Sequence, residues 1–127
     1  MPTISRFEDL EVWQKARIQE QSIFLLTQNF RNDYGLINQI NNATGSVMDN
    51  IAEGFERYSS KEFAQFLVIA KGSNAEVRSQ LYRAFDRKYI MEDVLFERLS
   101  YSELLGKKIY AFINYLKKST YKSKPSS

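Results

Sequence analysis

Leu36, Ile40, Ala43, Val47 and Ile51 recur at three and four residues, the period of one helix face. The stretch that follows, Asn50 to Phe63, constrains the fold more than any other part of the chain. Gly54 is expected to stop the helix, because glycine takes the left-handed conformation that many helix ends need. Ser59 stands three residues before Glu62, the spacing of a capping box, in which the serine oxygen accepts an orphan backbone N–H and the glutamate reaches back. Phe63, Phe66, Leu67 and Ala70 then open a new apolar face. A stop, a short polar link, a cap and a new start predict two antiparallel helices joined by a tight turn.

The same reading extends to both ends. After an N-terminal extension over 1–7, helices are expected over about 8–30, 34–54, 60–87 and 92–117, and a disordered basic tail over 118–127. Trp13, Ala16, Ile23, Phe24, Thr27 and Phe30 form the expected inner stripe of the first helix, with Glu20 at its seam edge. Asn32 and Asp33 make a turn and cap. Gly72, inside the third helix, calls for a close neighbour or a kink to offset a cost of ~1 kcal/mol against alanine. Leu95, Leu99, Ser102, Ile109, Ile113 and Leu116 form the last inner face. Short links make sequential helices antiparallel, so the fold class is all-α, an up-down-up-down four-helix bundle in one domain.

Several functions are set aside by what the chain lacks. It has no cysteine and no histidine. There is therefore no thiol nucleophile, no disulfide and no thiolate metal site, and the di-iron site of some bundles needs a Glu-x-x-His pair. Glu53 and Glu62 are better explained by capping and charge than as a catalytic pair. No nucleophile stands with a base. The expectation is a non-enzymatic protein with no catalytic residue, metal or cofactor. No run of apolar residues is long enough to cross a membrane and no signal-peptide core is evident, so a cytoplasmic protein is expected.

Charge is uneven. Residues 1–60 carry 5 basic and 8 acidic side chains, and residues 61–127 carry 13 and 7, a balance of −3 against +6. Arg78, Arg83, Arg87, Lys88, Lys107, Lys108, Lys117 and Lys118, interleaved with Tyr82, Tyr110 and Tyr115, are the candidate nucleic-acid contacts, since cations meet phosphates and tyrosines stack on unpaired bases. A second apolar surface also stands out. Ile18 and Leu25 lie opposite the inner stripe of the first helix, and Leu104, Ala111 and Tyr115 opposite that of the fourth, the pattern of an oligomer interface. The polar group Asn50, Glu53, Arg57 and Glu62, with Gly54 and Ser59, is read as holding the hinge. The alternative function is a structural adaptor whose docking surface for another protein is this same end.

The segments Phe7 to Trp13, Tyr34-Gly35-Leu36, Asn50-Ile51-Ala52-Glu53-Gly54, Ser59 to Phe63, Ala70-Lys71-Gly72-Ser73 and Tyr89-Ile90 resemble the four-helix-bundle proteins encoded in 23S ribosomal RNA intervening sequences. The resemblance spans roughly 7–116. It implies a bacterial protein that forms a homopentameric ring and has no assigned activity. It also implies kinship with the accessory proteins of diversity-generating retroelements, which bind nucleic acid and a reverse transcriptase through a basic pentameric barrel. Two departures matter. Gln39-Ile40 is followed by Asn41-Asn42 where such proteins carry paired arginines, and Met91 stands where a serine or aspartate cap is usual.

Overall fold

A computed structural model of the chain describes residues 4–119. Among them are four α-helices and no strand. The helices are α1 (Glu11–Thr27), α2 (Tyr34–Phe55), α3 (Ser60–Asp86) and α4 (Glu92–Lys118). Each packs on the next, and α1 also lies beside α4, which closes a four-helix bundle. α3 and α4, at 27 residues each, are ~40 Å long at 1.5 Å per residue. Part of the tail read from 118 onward lies outside the described residues, and Lys118 is the last residue of α4.

α1 is shorter than its apolar pattern predicts. Phe7–Asp9 forms a separate 3-10 turn, and Leu10 is extended between turn and helix at φ −74° and ψ 129°. At the far end Arg31 and Asn32 take positive φ, 52° and 60°, so the chain turns there while Phe30 stays fully buried. Phe24 is 49% exposed rather than inward. Among the buried residues of α1 is Gln19, an amide the apolar pattern passes over. Glu20 is half-buried at the edge of the seam.

At the hinge, Gly54 acts by a different mechanism from the one expected. No glycine among the described residues takes a positive φ, and α2 runs through Gly54 to Phe55. Gly54 is buried against α3, where a Cβ would lie 2.7 Å from Phe66 Cβ and 2.9 Å from Phe63 Cδ1. The glycine is required by close helix approach, not by a left-handed stop. Ser59 Oγ accepts the Glu62 N–H at 3.2 Å, the serine half of the capping box. Arg57 pairs with Glu53 at 2.9 Å and lies 4.6 Å from the Phe66 ring. Asn50 Nδ2 donates to the Ser46 carbonyl at 2.9 Å. Gly72, by contrast, is exposed with open space around its Cβ position, so no close neighbour accounts for it.

Two apolar clusters make up the core. One gathers Val12, Ala16, Val47, Ile51, Leu67, Ile109 and Ile113, and the other Ile23, Phe30, Leu36, Ile40, Val77, Leu81 and Leu99. Between them lies a polar layer. Asn74 Oδ1 accepts from Gln19 Nε2 and from Ser102 Oγ, each at 3.0 Å, and Asn74 Nδ2 donates to the Ser102 carbonyl at 2.8 Å. These three side chains are almost wholly buried. Their bonds join α1, α3 and α4 in one register, because sliding any helix by a turn would strand buried polar atoms.

Candidate nucleic-acid interface

The antiparallel pairing of α3 and α4 decides which cations share a surface. Asn74 meets Ser102, and Lys71 Nζ lies 5.8 Å from the centre of the Tyr110 ring. These contacts put Lys71 beside Tyr110 of α4, and Arg78, two turns along α3, lies beside Ser102 and Gly106 of α4. Phe96, Glu103, Tyr110 and Lys117 are seven apart, so they form one row along the α3 side of α4. The facing shoulder of α3 carries Lys61, Val68, Ala75 and Tyr82 at the same spacing. Tyr82, Phe96 and Tyr110 are all exposed there, as is Lys107, one turn from Tyr110. Arg78 is half-buried, with Nη1 3.4 Å from Ser102 Oγ. The α3/α4 flank therefore carries Lys61, Lys71, Arg78, Lys107 and Lys117 with two exposed tyrosines, and Glu103 is the acid in its row.

The other expected cations are elsewhere. Lys108 turns to the α1 side and pairs with Glu11 at 3.3 Å. Arg83 bonds Gln39 of α2. Arg87 bonds Asp33 at 2.7 Å, and Lys88 stands in the following link at φ 65°. Lys118 sits at the far end of α4, beyond Lys117. The eight residues thus do not form one patch. Arg78, Lys107 and Lys117 share a flank, and Lys71, which extends it, is found only once the helix pairing is known.

At the end of the bundle that holds Arg87, Asp33 is the central group. Its Oδ1 caps α2 by accepting the Leu36 N–H at 3.3 Å, and its Oδ2 accepts from the Tyr89 hydroxyl at 2.8 Å and from Arg87. The Tyr89 hydroxyl, the Leu36 N–H and the Arg87 guanidinium hold the Asp33 carboxyl below the usual carboxylate range. The same bond to Asp33, with burial, pushes the Tyr89 phenol up. Tyr89 stacks on Phe30 at 5.3 Å. This cluster ties the α1–α2 link to the α3–α4 link.

On the other shoulder of α3, between α2 and α3, runs a groove of about 530 Å³ lined by Gln39, Asn42, Ala43, Ser46, Ser73, Glu76, Ser79, Gln80 and Arg83. The Ser46–Ser73 bond at 2.8 Å crosses one end and the Arg83–Gln39 bond the other. Asn42 faces this groove, whereas Asn41 is half-buried with an Oδ1 that meets no donor. The five expected interface residues, Ile18, Leu25, Leu104, Ala111 and Tyr115, are all exposed on a single chain. Bonds from Tyr101 to the Lys15 carbonyl and from Lys108 to Glu11 join α1 to α4, and these apolar residues flank that polar seam.

Among the described residues no helix is long and apolar enough to cross a membrane, and no group of acidic residues could hold a metal ion. A model of the family described as 23S rRNA-intervening sequence protein matches residues 8–111. No curated protein matches the chain.

Proposed function

We propose that this chain, which belongs to the 23S rRNA-intervening sequence protein family, works in the cytoplasm as a non-enzymatic, self-associating bundle that binds RNA through its α3/α4 flank. The observation that carries the reading is the row of Lys71, Arg78, Lys107 and Lys117 with Tyr82 and Tyr110 exposed among them. Lysines and arginines neutralise phosphates and release counterions, and tyrosines stack on unpaired bases without reading sequence. One flank gives modest charge. A second copy covering Ile18, Leu25, Leu104, Ala111 and Tyr115 would repeat it, and a closed pentamer would turn it into a ring of cationic surfaces while leaving no apolar strip exposed.

Fluorescence anisotropy with a structured RNA across a salt series tests this. Log affinity should fall linearly with log salt, by about 0.7 to 0.9 per phosphate neutralised. A Lys71→Glu, Lys107→Glu double variant should bind more weakly and with a shallower slope. If that variant binds as the parent does, the flank is not the contact surface.

A further inference from the structure

We infer that the α2/α3 groove is a nucleotide pocket, built for a phosphate at Arg83 and for a base that presents an amino group, cytosine or adenine, at Glu76. This inference does not rest on RNA binding at the α3/α4 flank. Eight of the nine lining residues are polar, with Ala43 the exception. The volume, about 530 Å³, is within the usual range for small-molecule sites. Gln80, only 7% exposed, stands in the floor, and its amide makes no hydrogen bond to the rest of the described residues. Its Oε1 is buried without a donor. Buried amides are ordinarily satisfied, and a ligand that meets the Gln80 amide would have no protein hydrogen bond to displace.

The charges fix the ligand's direction. Glu76 and Arg83 are seven apart on one face of α3, ~10 Å along its axis, a separation that a nucleotide spans from phosphate to base edge. Arg83 spends one arm of its guanidinium on Gln39 and keeps other N–H groups for a phosphate. Glu76, an acceptor, suits the exocyclic amino group of cytosine or adenine, as carboxylates do when they read cytosine. Asn42, across the groove on α2, can donate to the ring acceptor beside that amino group. Uracil would set its carbonyl against the Glu76 carboxylate. None of the lining residues is aromatic, so the base is read by its edge rather than by stacking.

The test titrates cytidine and uridine monophosphates separately into the full chain, followed by calorimetry and by backbone amide NMR shifts. Cytidine monophosphate should bind about tenfold more tightly than uridine monophosphate, with shifts at Asn42, Gln80 and Arg83. Glu76→Ala should erase the preference, and Arg83→Ala should weaken both ligands. Both are surface positions on a long helix, and the NMR spectrum of each variant reports its fold directly. Equal binding of the two nucleotides, a preference that survives Glu76→Ala, shifts confined to other surfaces, or no binding at all overturns the inference. A second arm compares oligocytidine with oligouridine strands. If Glu76→Ala also erases a cytidine preference there, the pocket takes an unpaired base of a strand. If it changes only the mononucleotide result, the ligand is the free nucleotide. Loss of RNA binding in the Lys71/Lys107 variant bears on the flank alone and leaves the mononucleotide result standing.

Discussion

Gly106 of α4 faces Asn74 of α3 so closely that a Cβ on the glycine would lie 3.2 Å from Asn74 Nδ2. Asn74 cannot easily yield, because both ends of its amide are bonded, to Gln19 and to Ser102. Gly106→Ala would gain up to ~1 kcal/mol in helix propensity, yet it should destabilise the protein on balance by disturbing that bonded layer. Asn74→Ala should cost more, about 3 kcal/mol, because it leaves the buried Gln19 Nε2 without its partner and removes the Asn74 side-chain bonds to the Ser102 carbonyl and hydroxyl. Urea denaturation of the two variants gives the order directly.

Gly54 and Gly72 make an opposed pair. Gly54→Ala places a methyl against Phe66 and Phe63 at distances real side chains do not tolerate. The overpacking, ~1–3 kcal/mol, should outweigh any gain in propensity, and the melting temperature should fall. Gly72→Ala meets open space on an exposed helix face and should stabilise by up to ~1 kcal/mol. Thermal denaturation of both variants checks the signs.

The Asp33–Tyr89–Arg87 cluster sets a pH dependence at both extremes. Asp33 titrates below its ordinary value in the folded chain. Its contribution is therefore present above about pH 4, the ordinary carboxylate value, and is lost as pH falls through the lowered one. Tyr89 titrates above its ordinary value, so its contribution is complete below about pH 10 and is lost as pH rises through the raised one, when an anionic phenol would face Asp33. Asp33→Asn should flatten the acid limb of a urea-midpoint profile, and Tyr89→Phe should reduce the part of the alkaline limb that Tyr89 contributes. Tyr101, pushed up by burial, adds to the same limb.

The bundle could be read from the sequence because its apolar residues repeat at the helical period. Leu36, Ile40, Ala43, Val47 and Ile51 are all buried, as are Leu95, Leu99, Ile109, Ile113 and Leu116. The polar layer could not be read that way. Gln19 and Asn74 are amides whose burial depends on each other across 55 residues, and no local pattern reports such a pairing. Gly54 was visible as a special position, but spacing alone does not separate a left-handed stop from a close approach. The basic surface was legible as a charge excess in the second half and not as a patch. Arg83, Arg87 and Lys108 have partners on α2, in the α1–α2 link and on α1, and only the pairing of helices shows which cations remain together on one flank.

Self-association predicts a separation between assembly and folding. Leu25 is 67% exposed on the single chain, and Ile18 and Leu104 are each 49% exposed. On a monomer, Leu25→Glu and Leu104→Glu should change stability by no more than ~0.5 kcal/mol, the usual scale for exposed positions. In an assembly the same changes place unpaired carboxylates in an apolar contact, which is strongly unfavourable. Light scattering on the eluting protein should therefore show the parent at the mass of a pentamer and the double variant at a lower mass, with the helical circular dichroism of the two alike. Tyr82→Glu, on the α3/α4 flank, should leave the mass unchanged. A parent that runs as a single chain at micromolar concentration would remove the ring, and the flank would then have to hold RNA with one copy of its cations.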